Sequence, residues 1–379
     1  MPTWVGDARA AKVQRRRVLS IRMQFLPQEL QDCIIDGLAP DRVAGPSEHY
    51  ADLRACALTC QSWLPRAQCQ LYKHVEVDRL ESTRLFARTL EESPDVCRLV
   101  KRLEFWFKAA DWKDQDCEDV TFPAHLVGRL VALHGLRFAC CTHSAAQTAA
   151  QIEFMKLWTV CVQLRTLWVD GFYFKNLADL TRIIWSFPKL EELNVFQTGW
   201  AARGREVDPA EFPGRCQMMT TVEMQETFRV DDLLPLLGTT IQNLSIAWMW
   251  DASPPDTYAA VSTLHDLRSL ELLVNQLDEP WVTSVLTQVH STHLEKLVLD
   301  LSMVDREEDS EALGLLVGRE DFDDLLSREP LNSVNRLKIM TSEQGKTGKA
   351  ERRLREAQAL LPSFLRSRGT IEVETCSTA

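Results

Sequence analysis

From residue 26 to 38 the apolar positions Leu26, Leu30, Ile34, Ile35 and Leu38 recur at steps of four, four, one and three, the spacing of one helix face. Pro27 suits the first turn of such a helix, where its missing N–H has no partner to lose. Residues 39 to 51, with Pro40, Gly45 and Pro46, read as a loop. A second helical stretch is expected from Asp52, as N-cap, through Leu53, Cys56, Leu58 and Cys60 to Trp63. Pro65 then marks the boundary to a short third helix carrying Ala67 and Leu71.

Beyond residue 71 the pattern changes to a short theme of an apolar residue, two variable ones, usually Leu, one variable and an apolar residue. It occurs at Val100-Leu103-Phe105, Leu133-Leu136-Phe138, Leu164-Leu167-Val169 and Leu190-Leu193-Val195. It continues at Ile241-Leu244-Ile246, Leu267-Leu270-Leu272, Leu294-Leu297-Leu299 and Val334-Leu337-Ile339. Looser copies stand at Tyr72-Val75-Val77 and Met219-Val222-Met224. A pattern this simple arises by chance about thirty times in a chain of this composition, so matching alone proves nothing. The intervals decide: starts from 133 to 294 are 22 to 31 residues apart, close to the period of leucine-rich repeats. Several intervening segments are helical in pattern, such as Asn176 followed by Leu177, Leu180, Ile183 and Ile184, or Asp278 followed by Trp281, Val285 and Val289.

One strand and one helix per unit cannot bury both apolar faces alone, so the units must stack. The expected fold class is α/β: a small all-helical domain at 25–71, then at 72–379 an irregular leucine-rich-repeat-like solenoid with parallel strands on the concave face and helices outside. Residues 1–24 read as a basic mobile tail. The asparagine that often follows the strand in such repeats has no consistent counterpart, and insertions are expected at 108–124, 198–215 and 302–320.

Composition narrows the function. The 379 residues carry 43 Lys and Arg against 54 Asp and Glu, a net charge of −11, so a basic footprint for nucleic acid is not expected. The run Leu126 to Cys141 is interrupted by Arg129, His134 and Arg137, so no membrane span is expected. Arg15, Arg16 and Arg17 have no apolar h-region behind them, which argues against a secretory signal and for a cytoplasmic or nuclear chain with its eleven cysteines reduced.

The ordered elements Leu26-Pro27-Gln28-Glu29-Leu30, Ile34-Ile35, Leu38, Leu53, Leu58-Thr59-Cys60-Gln61-Ser62-Trp63, followed by Leu64-Pro65-Arg66-Ala67 and Leu71-Tyr72, resemble the F-box. They are most similar to the F-box proteins of mushroom-forming fungi, the basidiomycete type, in which a leucine-rich or variable region follows. The resemblance implies a substrate-recognition adaptor of an SCF-type ubiquitin ligase in protein degradation. The F-box docks on the Skp adaptor, and through it cullin, by Leu26, Pro27, Leu30, Ile34, Ile35, Leu38, Leu53, Leu58, Cys60 and Trp63; the repeats hold a protein substrate. The chemistry belongs to other subunits, so neither an enzyme activity nor a cofactor is expected of this chain. The same apolar residues also suit the core of a three-helix cap on the first repeat, and a repeat scaffold without a ligase role is the alternative.

On the strands, residues flanking each central Leu face away from the core. They include Arg102, Glu104 and Trp106; Thr166, Trp168 and Asp170; Glu192, Asn194 and Phe196; Ser269 and Glu271; Lys296 and Asp300. Aromatics among charges suit binding hot spots, which makes Trp106, Trp168, Asp170 and Phe196 the candidate substrate-binding residues, unless loops cover the rings as core. The acidic stretch 305–329 reads as a solvated face, with steering of a basic ligand as the alternative. Cys140-Cys141-Thr142-His143 lacks the paired ligands of a zinc site, no signature of a catalytic cysteine surrounds any thiol, and no phosphate-binding glycine run is present.

Overall fold

The computed structural model describes residues 27–38, 46–59, 61–107, 122–140, 145–227, 229–248, 258–274, 281–300, 320–343 and 370–377. The expected basic tail, Leu26, Cys60, Cys141 to His143, most of the insertions at 108–124 and 302–320, and much of the acidic stretch lie outside those residues.

Three helices come first: α1 (Gln28–Gly37), α2 (Pro46–Thr59) and α3 (Leu64–Lys73). Helix α2 begins at Pro46, six residues before the expected start at Asp52, so the second half of the expected 39–51 loop is helical. A proline is well placed as a first helical residue, because its fixed φ is already helical and its absent donor would be unpaired there. Ile35, Leu53, Cys56, Trp63 and Ala67 form a core of their own, with Leu38 and Leu71 against it. Arg66 makes a forked pair to Asp36 and Gln70 donates to the same carboxylate at 2.6 Å, tying α3 to α1. The Arg66 hydrogen bond, set against burial, holds the Asp36 carboxyl below its ordinary value.

The chain then alternates strand and helix. In order come β1 (His74–Val77), α4 (Leu80–Glu92), β2 (Arg102–Phe107), α5 (Ala124–Val127), β3 (Gly135–Cys140), α6 (Ala145–Leu157), β4 (Thr166–Asp170), β5 (Tyr173–Asn176), α7 (Leu177–Trp185), β6 (Glu192–Phe196) and β7 (Gly199–Ala202). There follow β8 (Thr221–Gln225), α8 (Val230–Leu233), β9 (Asn243–Trp248), β10 (Ser269–Val274), α9 (Trp281–Thr287), β11 (Lys296–Asp300), α10 (Glu320–Ser327), β12 (Arg336–Glu343) and β13 (Thr370–Ser377). Helix α7 starts where expected, its N-cap Asn176 accepting from the Asp179 N–H at 3.0 Å. Eleven strands form one sheet in the order β1-β2-β3-β4-β6-β8-β9-β10-β11-β12-β13, and β5 pairs with β7 apart from it.

Every pairing is parallel and in one register, which lines up the central residues of the repeated theme. Val75, Leu103, Leu136, Leu167, Leu193 and Val222 continue into Leu244, Leu270, Leu297, Leu337 and Ile371 as a single row across the sheet. The central row from Leu103 to Leu337 is buried, as are the leading residues Val100, Leu133, Leu164, Leu190, Met219, Ile241, Leu267, Leu294 and Val334. The chain is therefore a mixed α/β repeat array, with helices packed on one face of a parallel sheet and the other face left open among the described residues. One backbone arrangement recurs at the step from coil to coil. The carbonyls of Lys101, His134, Arg165, Glu191, Thr220, Gln242, Arg268 and Glu295 each accept two successive N–H groups of the next coil, at 2.8 to 3.1 Å. Where an asparagine was missed in the sequence, Thr198 and Thr227 stand buried two residues beyond β6 and β8, and the Thr227 hydroxyl donates to the Val195 carbonyl of the preceding coil at 2.9 Å.

Candidate functional site: the open sheet face and the apolar helices

The open face of β2, β3 and β4 carries a cluster of charge and aromatic rings. Arg137 of β3 donates to Asp170 of β4 at 3.0 Å and stands 3.8 Å from Glu104 of β2, while His74 of β1 meets Glu104 at 2.8 Å. The Arg137 guanidinium lies 4.6 Å from the Trp106 ring centre, and Arg102 lies 4.8 Å from that of Trp168. Cation–π contacts of this kind hold the rings and guanidinium groups in place. Burial pushes the Glu104 carboxyl up, but the His74 hydrogen bond and the charges of His74, Arg137 and Arg102 outweigh it and hold the group below its ordinary value.

Arg102 reaches Trp168 across two strands because the intervening position is Gly135. A Cβ there would stand 3.1 Å from Arg102 Cγ and 3.6 Å from the Trp168 ring. Ala139 is the small residue between Trp106 and Asp170 in the neighbouring row. Phe196 is the register partner of Asp170 on β6, so the four candidate substrate-binding residues fall on β2, β4 and β6, with β3 between the first two. Trp106, Trp168, Asp170 and Phe196 are all partly exposed, neither buried core nor freely solvated. Trp106 Nε1 and Arg137 Nε are shielded without a hydrogen-bond acceptor.

Farther along the face the charge turns acidic. Burial pushes the Glu223 carboxyl up, and Glu271 and Glu192 add to it against a hydrogen bond from Gln225. Burial likewise raises Glu271, helped by Asp300 and opposed by Lys296 and Lys338.

The helical unit divides its apolar residues in two. Ile35, Leu53 and Trp63, expected on a docking face, are turned inward and hold the three helices together, because each sits where the helices approach one another. Leu38 is partly buried. Pro27 is exposed with Leu30 (51%) and Ile34 (44%) along one stripe of α1, Leu58 is 87% exposed near the end of α2, and Leu64 is 37% exposed at the start of α3. Leu64 stands in the motif but was not among the expected docking residues.

Arg137 and His74 were also missed, although both occupy the outward position beside a central Val or Leu that marked Glu104 and Trp168. Cys140 is a buried thiol donating to Gln151 Oε1 at 3.5 Å. Among the described residues no group of three or more His, Cys, Asp and Glu side chains is placed to hold a metal ion, and no helix is long and apolar enough to cross a membrane.

Neither a family model nor a curated protein matches the sequence. Among solved structures, the chain is similar to the leucine-rich repeat-containing protein LegL7 of Legionella pneumophila, at 10% identity over 80% of this chain and 91% of that one, with a TM-score of 0.43. It is also similar to an internalin of Listeria monocytogenes, at 12% identity over 78% and 89% of the two chains, with a TM-score of 0.26.

Proposed function

We propose that this chain is a substrate-recognition adaptor of an SCF-type ubiquitin ligase, without catalytic residues of its own, acting in the cytoplasm or nucleus. The helical unit docks on the Skp adaptor, and through it on cullin, while the open sheet face holds a protein substrate. The observation that carries this reading is the division within the helical unit: a small closed core, and apart from it Pro27, Leu30, Ile34 and Leu58 left in water. Large apolar groups kept exposed on a small domain are characteristic of surfaces that are covered by a partner. The F-box resemblance names the partner. On the sheet face, Trp106 and Trp168 under arginines supply rigid anchors, with Asp170 and Phe196 beside them.

The test is co-purification of the full chain with the Skp adaptor, beside a Leu30→Asp, Ile34→Asp double variant checked for unchanged folding. Binding by the parent and loss in the variant supports the adaptor. If the folded parent does not bind, the ligase role fails and the chain is a repeat-based protein-interaction scaffold, the reading that the sheet face favours by itself.

A further inference from the structure

The coil between β6 and β8 is longer than its neighbours, and its additional residues build a wall. Gly199–Ala202 pairs with β5, after which residues 203 to 217 fold over the space between α7 and α8. Gly204 makes this return possible: its φ of +75° suits glycine, and a Cβ would stand 2.7 Å from the Asn176 side chain. The space enclosed is about 780 Å³, within the roughly 300–1,000 Å³ of small-molecule sites. It lies in the helical layer, away from the open sheet face.

Its lining is apolar at Leu177, Ala178 and Val207, all buried. Its acids are already engaged. Asp232 is paired with Arg203, lies 4.0 Å from Arg229 and accepts from Trp200 Nε1 at 3.4 Å, and Asp231 accepts from the Ala260 N–H at 3.1 Å. Arg215 is different. Its guanidinium lies 4.8 Å from the Trp185 ring centre, and that ring is fixed by its own N–H donating to the Leu236 carbonyl at 2.8 Å. One Arg215 nitrogen donates to the Pro209 carbonyl at 3.0 Å; the others have no acceptor among the described residues. Arg205 and Glu206 are both exposed at the rim and offset each other in charge.

A planar cation held over a ring, in a cavity that apolar side chains also line, matches a carboxylate attached to an apolar body. We propose that this cavity binds a small organic carboxylate, with Arg215 holding the carboxylate and the apolar body lying on Leu177, Ala178 and Val207. The proposal is independent of the adaptor reading.

The test is titration calorimetry of the full chain with octanoate, 4-phenylbutyrate and benzoate, each beside its amide. At least one acid is expected to bind in a one-to-one ratio and about tenfold more tightly than its amide. Arg215→Gln is expected to remove that preference, and Arg205→Gln to leave it. Ala178→Leu, which fills the floor but keeps Arg215, is expected to abolish binding and serves in place of Arg215→Gln if that variant does not fold. No binding of any acid at millimolar concentration, equal binding of acid and amide, or undiminished binding by folded Arg215→Gln or Ala178→Leu overturns the proposal.

Discussion

Tyr50 of α2 donates its hydroxyl to the backbone carbonyl of His74, the first residue of β1. The helical unit thus satisfies a carbonyl on the outermost strand of the sheet, where an unpaired backbone group is otherwise a liability. Burial pushes the Tyr50 hydroxyl up to about 12, with Glu76 and Glu104 adding to the effect, so it remains a donor throughout the physiological range. Tyr50→Phe removes the donor and keeps the ring. It is expected to cost about 1 kcal/mol in urea denaturation; an unchanged midpoint would show that the contact contributes nothing.

Glu104 gives the sheet face an acid sensitivity of known sign. Its carboxyl has a lower value folded than unfolded, so its stabilisation is complete above the unfolded value of about 4.3 and is lost as pH falls through the folded one. Glu104→Gln is expected to lose about 1 kcal/mol at pH 7 and clearly less at pH 3. An equal deficit at both pH values in denaturant melts contradicts the assignment.

Glu271 behaves in the opposite sense. Burial, then Asp300, raises its carboxyl, so the protonated form is favoured in the fold and that stabilisation disappears as pH rises through the raised value. At neutral pH the charged group is a burden. Glu271→Gln should therefore raise the melting temperature at pH 7, with the gain vanishing below about pH 4. A lower melting temperature at pH 7 refutes this.

The helical unit places a buried and an exposed leucine on one helix. Leu53→Ala removes a fully buried side chain and is expected to cost about 2–5 kcal/mol. Leu58→Ala, five residues on but exposed, should change stability by less than about 0.5 kcal/mol. Thermal melts of both variants check this, and comparable losses would mean that Leu58 is covered by other parts of the chain.

Glycine 135 is a third kind of position, one where added bulk does the damage. Gly135→Val places methyls where the Arg102 stem passes, so the stacking on Trp168 should be lost while the strand persists. Trp168→Phe, with and without Gly135→Val, isolates the effect: a change in tryptophan emission at pH 7 that depends on Trp168 is expected, and none is seen if Arg102 keeps its place.

What was legible in the sequence is what burial dictates. Each theme copy marks a strand because its leading and central residues must both reach the core, and ten of the eleven strands of the main sheet bear one. Strand β13 escaped because Arg368 stands where the leading apolar residue would be, ahead of Ile371 and Val373. β5 and β7 escaped for another reason: each is four residues long with a single buried aromatic, Phe174 or Trp200, too short for a period of two to appear. The four aromatic and acidic candidates on the open face followed from alternation along a strand. Alternation places Arg137 on the same face, but its contacts, like the one Tyr50 makes, depend on proximity across strands and between units, which no local pattern encodes.

The paired N–H groups that meet one carbonyl at the start of each strand have a consequence for how this chain can change. The eight accepting residues are Lys, His, Arg, Glu, Thr, Gln, Arg and Glu, so the joint makes no demand on side-chain identity. Each coil presents the same fitting to the coil before it and the coil after it. At this joint coils are interchangeable: excision between equivalent carbonyls, for instance of residues 243–268, leaves backbone ends that match, and the array is expected to lengthen, shorten or trade coils wherever the buried side chains of the new neighbours also fit.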